Sequence, residues 1–540
     1  MNIITNDEIT RRSKKCCETA GLLLGAVLVF LAGVPFAQPP VGELRFKLPI
    51  PPKPWEGVRS AKQYSAACLT NSSTAMNQAE RISEDCLYMN IFASERCRSG
   101  IVSCPVIFYI HGGALYKGSA IMFDDQYITD RYSSKDMFFL DIVFVTTAFR
   151  LGFFGVLAFE TDDIVPRNLA LYDIISGLNF THSEIAAFGG DPTRVTVMGH
   201  SQGGSIAMIL AVSSIVDPDK RLFQRLIATS PALNYINSTI RGDLTWRVAY
   251  EVGCTKSAKR PHPTPLVELG RVVDCLRSVN AFDLLARQRS LEDNEKLLFD
   301  GVLFAPPFVR NDTLFRDFLS DCTPRPMMCS STRDEFNFQK SDDAYDIGAF
   351  LMVAHPTEVR DKYYKDKKSG KIKDAYLTQV VFTLNVMFGS RFVEKGSDVY
   401  LMEYGQEPLS FHSADVAFFN GRNMKEFDEN EKIIDKFYEE SILNFVYGKE
   451  PYKGWSSFNP RARNYFAVKA NLDKGIRPIE KLNYHSSVVD YWLHNITSFD
   501  SSVSKGVRFE TQKVYRSTTG IAFWTLFLNV LFTFVVISHP

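Results

Sequence analysis

The sequence predicts an α/β fold: a mostly parallel sheet covered by helices on both faces. Three observations predict it. Short apolar runs rich in β-branched and aromatic residues recur along the chain and run into glycine-rich turns. Segments with aliphatic residues at helical spacing lie between them. The runs are apolar throughout, as strands buried on both faces must be. In such sheets, binding and catalytic groups gather at the carboxyl ends of the strands.

The elements follow in order. "PVIFYI" (105–110) reads as a buried strand that enters "HGGA", and "DIVFVTTAF" (141–149) as another. "LALYDIISGLNFTHSEIAAF" (169–188) has helical periodicity and is stopped by "GGDPT". "RVTVMG" (194–199) is again a strand, with shorter candidates in "RLIATS" (225–230), "MMCSST" (327–332) and "VYLMEY" (399–404).

The chain has 540 residues, 45% hydrophobic and 23% charged, which suits a large packed core and excludes general disorder. Length alone would suggest about two to four domains, yet no linker, charge block or fixed-period repeat divides the sequence. Lysine plus arginine equals aspartate plus glutamate at 61 each, so no net charge favours nucleic acid as a partner.

The ten cysteines fall into near pairs: Cys16/Cys17, Cys68/Cys86, Cys97/Cys104, Cys254/Cys275 and Cys322/Cys329. None has metal-ligand spacing with histidines nearby, and no metal or other cofactor is implied. Four local loops closed by disulfides would suit an oxidising compartment. Five glycosylation sequons, at Asn71, Asn179, Asn237, Asn311 and Asn495, agree with the secretory pathway.

Both ends have membrane character. Residues 520–538 carry no charge, a length that spans a bilayer as a helix, and 501–519 form a polar stalk before them. At the other end, basic residues 11–15 precede an uncharged run from Ala20, as in a signal peptide or anchor. The expected division is therefore 1–33 as an N-terminal segment, 34–500 as the folded domain, then the stalk and a transmembrane or anchor-signal segment. The domain is expected to be luminal or extracellular, held to the membrane through the C-terminal segment.

Gly199-His200-Ser201-Gln202-Gly203 fits G-x-S-x-G between a strand and an apolar helix. A serine on such a sharp turn needs small neighbours, because its backbone is strained and crowded. A hydroxyl becomes a nucleophile when a base takes its proton, and acyl transfer needs N–H donors aimed at the developing oxyanion. "YIHGGALYKGS" (109–119) offers such donors, and they are assigned to the N–H groups of Gly113, Ala114 and Gln202. The base follows the serine in this chain order, which leaves His355, His412, His485, His494 and His539. His412 is selected because it lies in the loop directly after the strand "VYLMEY". The acid belongs in the loop after "MMCSST", where Asp334 and Glu335 are adjacent, and spacing alone does not choose between them.

With these residues placed, the chain resembles the type-B carboxylesterase and cholinesterase family of α/β-hydrolases. The resemblance runs from about "GVPFAQPPVGELRF" (34–47) to about Tyr491, through "SEDCLYMNIF" (83–92), "AFRLGFFG" (148–155), "NLALYD" (168–173), "AFGGDPTRVTVMGHSQGG" (187–204) and "FHSADVAFF" (411–419). It implies one large α/β-hydrolase domain and a triad of Ser201, Glu335 and His412. It also implies disulfides Cys68–Cys86 and Cys254–Cys275, and a buried serine near the triad at Ser230. The chain departs from the family in His200, where an acidic residue is common, in Gln202, where alanine is common, and in Ala114, where the third glycine stands. Met76 occupies the place of the cholinesterase tryptophan that binds choline. A general carboxylesterase acting on a small-molecule carboxylic ester is therefore expected, rather than a cholinesterase. The rival expectation is a membrane-anchored adhesion or receptor protein of the same family. The sequence sets neither the ester nor the oligomeric state.

Overall fold

The computed structural model describes residues 28–503, apart from 58, 71–81, 133–140, 160, 234, 296–298, 312, 314, 339–346, 409 and 423–424. Ten strands form one sheet: β1 (Leu28–Pro35), β2 (Tyr88–Ser94), β3 (Cys104–Ile110), β4 (Val143–Thr147), β5 (Gly190–His200), β6 (Arg225–Thr229), β7 (Met327–Thr332), β8 (Val399–Tyr404), β9 (Tyr465–Val468) and β10 (Ile479–Lys481). Their spatial order is β1-β2-β4-β3-β5-β6-β7-β8-β9-β10. From β4 to β9 every neighbouring pair is parallel, and antiparallel pairs close both edges.

Strand alternation sorts the apolar residues into two cores. Val106, Phe108 and Ile110 of β3 face one side with Val195 and Val197 of β5 and Met327 and Cys329 of β7. Ile107, Tyr109, Met198 and Met328 face the other. Helices α1 (Leu169–Glu184), α2 (Gln202–Val212) and α3 (Tyr376–Glu394) cover the first face, through Ile174, Ile206 and Leu384 among others. Helix α4 (Glu429–Val446) covers the second with Ile434, Phe437 and Phe445. This is why the strand sequences are mostly apolar.

A buried ion pair ties the segment after β4 to α1. Arg150 donates from Nε and Nη2 to Asp173 at 2.8 and 2.7 Å and from Nη1 to the Lys47 carbonyl at 2.8 Å. The Asp173 carboxylate also accepts the Arg150 backbone N–H.

One expectation needs correction. β1 begins at Leu28, so Leu28–Gly33 belong to the sheet's edge rather than to a detached N-terminal segment, and they pair antiparallel with β2. Cys68–Cys86 and Cys254–Cys275, the pairs the resemblance implies, are formed; of the two near pairs the sequence leaves open, Cys97–Cys104 is formed, whereas Cys322 and Cys329 are buried free thiols. Cys329 is fixed within β7, between β6 and β8, whereas Cys322 precedes that strand.

Asn179, Asn237, Asn311 and Asn495 are all exposed. Asn71, Met76, Cys16, Cys17, His539, the stalk beyond residue 503 and the segment 520–538 lie outside the described residues. Among the described residues, no helix is long and apolar enough to cross a membrane.

Candidate active site

The reactive residues stand at the carboxyl ends of β3, β5, β7 and β8. Ser201 directly follows β5 with φ 57° and ψ −126°, and its N–H donates to the Thr229 carbonyl at 2.8 Å. Such a conformation is strained for any residue but glycine and persists only where packing imposes it. The packing is visible at Gly203, where a Cβ would lie 2.2 Å from the Ile110 carbonyl oxygen. Gln202 opens α2, so its amide stands at the positive end of that helix.

The loop after β3 lies against this turn. A Cβ on Gly112 would sit 2.9 Å from the His200 carbonyl oxygen and 3.0 Å from Ser201 Cβ. Gly113, Ala114 and Leu115 then take left-handed backbone conformations (φ 117°, 52° and 64°) that reverse the chain beside the serine. The His111 ring stacks on Phe149 at 4.3 Å, and burial lowers its pKa to about 4, so it is neutral at physiological pH.

Glu335 is fully buried in the turn after β7. Its Oε1 accepts the Thr332 N–H at 2.7 Å, and its Oε2 lies 2.6 Å from His412 Nδ1. The backbones meet too, for the His412 N–H donates to the Glu335 carbonyl at 2.7 Å. His412 Nε2 lies 2.9 Å from Ser201 Oγ. One imidazole thus bridges a hydroxyl and a carboxylate from residues 211 and 77 positions away in sequence. Asp334 turns outward instead, accepting hydrogen bonds from Arg333 at 3.0 Å and from Ser410. The ambiguity between the adjacent acids is resolved by which of them the turn buries.

The other candidate histidines are engaged elsewhere. His355 meets Asp500 at 3.0 Å, His485 meets Glu403 at 2.5 Å, and His494 is exposed beside Asp490. Ser230 is fully buried with φ 48°, and its N–H donates to the Ser330 carbonyl at 2.9 Å.

Sequence reasoning missed three neighbours of His412. Phe336 stacks on its ring at 4.1 Å, and His200 stacks at 5.3 Å. Asp415 is fully buried, and burial together with the nearby Glu335 charge raises its pKa to about 6, although the Tyr438 hydroxyl donates to it at 2.9 Å. Burial, and then His412, hold the His200 pKa well below the ordinary histidine value. His200 was legible only as a departure from the family pattern, and nothing in the sequence set Phe336 or Asp415 against the base.

Comparison with known proteins bears on the family and the fold. The carboxylesterase family model matches residues 24–486. The chain is 29% identical over 505 residues to carboxylesterase 3B of Mus musculus, covering 87% of this chain and 83% of that one. It is 33% identical over 439 residues to carboxylesterase 3 of Homo sapiens, covering 73% and 72%. Among solved structures, a PNB esterase superposes with a TM-score of 0.69 at 23% identity, covering 87% of this chain and 97% of that one, which shows the shared α/β-hydrolase fold. The chain belongs to the carboxylesterase family and is a carboxylic ester hydrolase.

Proposed function

We propose that the protein hydrolyses carboxylic esters through an acyl-enzyme on Ser201. One observation carries this reading: His412 lies within hydrogen-bond reach of Ser201 Oγ at 2.9 Å and of Glu335 at 2.6 Å. Ser201 Oγ attacks the ester carbonyl while His412 Nε2 takes its proton. Glu335 accepts the Nδ1–H, holding the tautomer that leaves Nε2 free and stabilising the imidazolium once it forms. The carbonyl oxygen becomes an oxyanion held by the N–H groups of Gly113, Ala114 and Gln202. As the tetrahedral intermediate collapses, the C–O bond to the alcohol breaks and the leaving oxygen takes the proton from Nε2. Water then attacks the acyl group with His412 again as base, releasing the acid and restoring the Ser201 hydroxyl.

The folded domain is taken as residues 34–500 together with the rest of the edge strand from Leu28. The uncharged run at 520–538 supports a tether to the membrane after the stalk 501–519. Partition of the full chain into a Triton X-114 phase, abolished by truncation after residue 503, tests the tether. Retention of the truncated protein in the detergent phase would reject it.

The triad is tested with Ser201→Ala. Hydrolysis of p-nitrophenyl butyrate should fall by at least about a thousandfold, and labelling by a fluorophosphonate, stoichiometric in the wild type, should vanish. Unchanged hydrolysis by the variant would reject the assignment. Absence of labelling in a folded wild type would favour an adhesion or receptor role.

A further inference from the structure

We infer that His200 is a positioning residue that locks the base of the triad, a role that rests on the proposed site. His200 directly precedes Ser201, and Ser413 directly follows His412. The two are joined: His200 Nε2 and Ser413 Oγ share a hydrogen bond at 3.3 Å. The His200 ring lies nearly parallel to His412, with 24° between planes, and Phe336 covers His412 with 26° between planes. The base thus stacks against two rings, and one of them is bonded to the base's own neighbour.

His200 is itself held rigidly. It is 5% exposed, Phe419 packs on it at 5.8 Å, and the Gly112 backbone lies against it with room for no Cβ. A ring fixed this way restricts His412 to the rotation that keeps Nε2 on Ser201. Small misplacements of a base cost large factors in rate. The titratable and charged groups facing His200 are His412 and Arg422, and those facing His412 are Glu335, Asp415 and His200. A neutral ring at position 200 steadies the base without adding a further carboxylate to Glu335 and Asp415. An acidic residue there would do the opposite, favouring the imidazolium in the free enzyme.

The experiment uses the full chain with p-nitrophenyl butyrate and a fluorophosphonate. His200→Ala should lower kcat about tenfold or more while KM stays within about twofold. His200→Phe keeps a ring but loses the bond to Ser413, and Ser413→Ala loses the same bond. Each should give a smaller loss, and the double variant should be no worse than either alone, because both remove one interaction. His200→Glu should move the acid limb of the kcat/KM profile to higher pH, because position 200 lies against the base. Additive losses from His200→Phe and Ser413→Ala, or an unmoved limb in His200→Glu, would overturn the role. If the His200 variants fail to accumulate, Ser413→Ala decides, and labelling at the wild-type rate would overturn it. Ser201→Ala run in parallel separates the two claims: residual labelling there rejects the site itself, whereas clean loss there with unaffected His200 variants rejects only the lock.

Discussion

Replacing Glu335 by glutamine tests the triad at the point where shape is kept and charge is removed. The carboxylate is fully buried and its two oxygens have different tasks: Oε1 accepts the Thr332 N–H at 2.7 Å and Oε2 faces His412 Nδ1 at 2.6 Å. A glutamine has one oxygen to serve both. If it faces Thr332, the side-chain amide donates to His412, Nδ1 must accept, and the proton moves to Nε2, where it points at Ser201 and blocks its activation. If it is flipped, two donors meet at Thr332, at a cost of about 1–3 kcal/mol for the unpaired buried group. Amide-for-carboxylate replacement in a serine triad lowers kcat by about ten-thousandfold, equivalent to about 5 kcal/mol of transition-state stabilisation. Steady-state hydrolysis of p-nitrophenyl butyrate by Glu335→Gln should therefore show kcat reduced by about 10³–10⁴. Asp334→Asn serves as the control and should stay close to wild type, because that carboxylate faces Arg333 and Ser410. A Glu335→Gln enzyme within tenfold of wild type would refute the claim that this carboxylate sets the tautomer.

Asp173→Ala leaves the Arg150 guanidinium buried without its charge partner, so urea unfolding should show a loss of about 3–5 kcal/mol. Asp415 favours its neutral form in the fold; this raised pKa contributes stability fully below 3.8 and loses it as pH rises through about 6. The stability of Asp415→Asn relative to wild type should accordingly improve by about 2 kcal/mol between pH 4 and pH 7, and a flat difference across that range would count against the shift. Loss of Cys254–Cys275, which spans 21 residues, should cost about 3 kcal/mol, and loss of Cys97–Cys104, which spans 7, about 1 kcal/mol less. Iodoacetamide should spare Cys322 and Cys329 in the native protein and reach both after denaturation, since burial raises the pKa of each thiol. Peptide mapping reads the result.

The central sheet was legible because its strands are buried on both faces. "MMCSST" and "VYLMEY" match β7 and β8 residue for residue. The edges were not legible in the same way. β1 shares its apolar run with a stretch that also suits a signal or anchor, and only pairing with β2 distinguishes the two. Ser201 and His412 were found because each sits directly after or near a strand end. The choice of Glu335 over Asp334 depends on a turn with φ 30° at Glu335, which no spacing rule reveals. Near-neighbour spacing left pairing open at Cys322 and Cys329 just as it did at Cys97 and Cys104. That only the latter pair closes is a tertiary fact. The same holds for His200 and Phe336, whose contacts with His412 join segments remote in sequence.

The strain at Ser201 offers a separate check on how the site is held. With φ 57° and ψ −126°, this position suits glycine and no other residue. At an ordinary position, glycine is less stable than alanine by about 0.5–1 kcal/mol, because the unfolded chain gains freedom. At Ser201 the sign should reverse. Both Ser201→Gly and Ser201→Ala remove the hydroxyl and its bond to His412, so that loss cancels between them. What differs is the Cβ, whose backbone strain is about 1–3 kcal/mol. Net of the entropy term, Ser201→Gly should be the more stable by about 1 kcal/mol, measured by thermal or urea unfolding of the two inactive variants. If alanine proves equal or better, the turn relaxes without cost, and the crowding at Gly203 and Gly112 does not force the serine into its exposed, reactive pose.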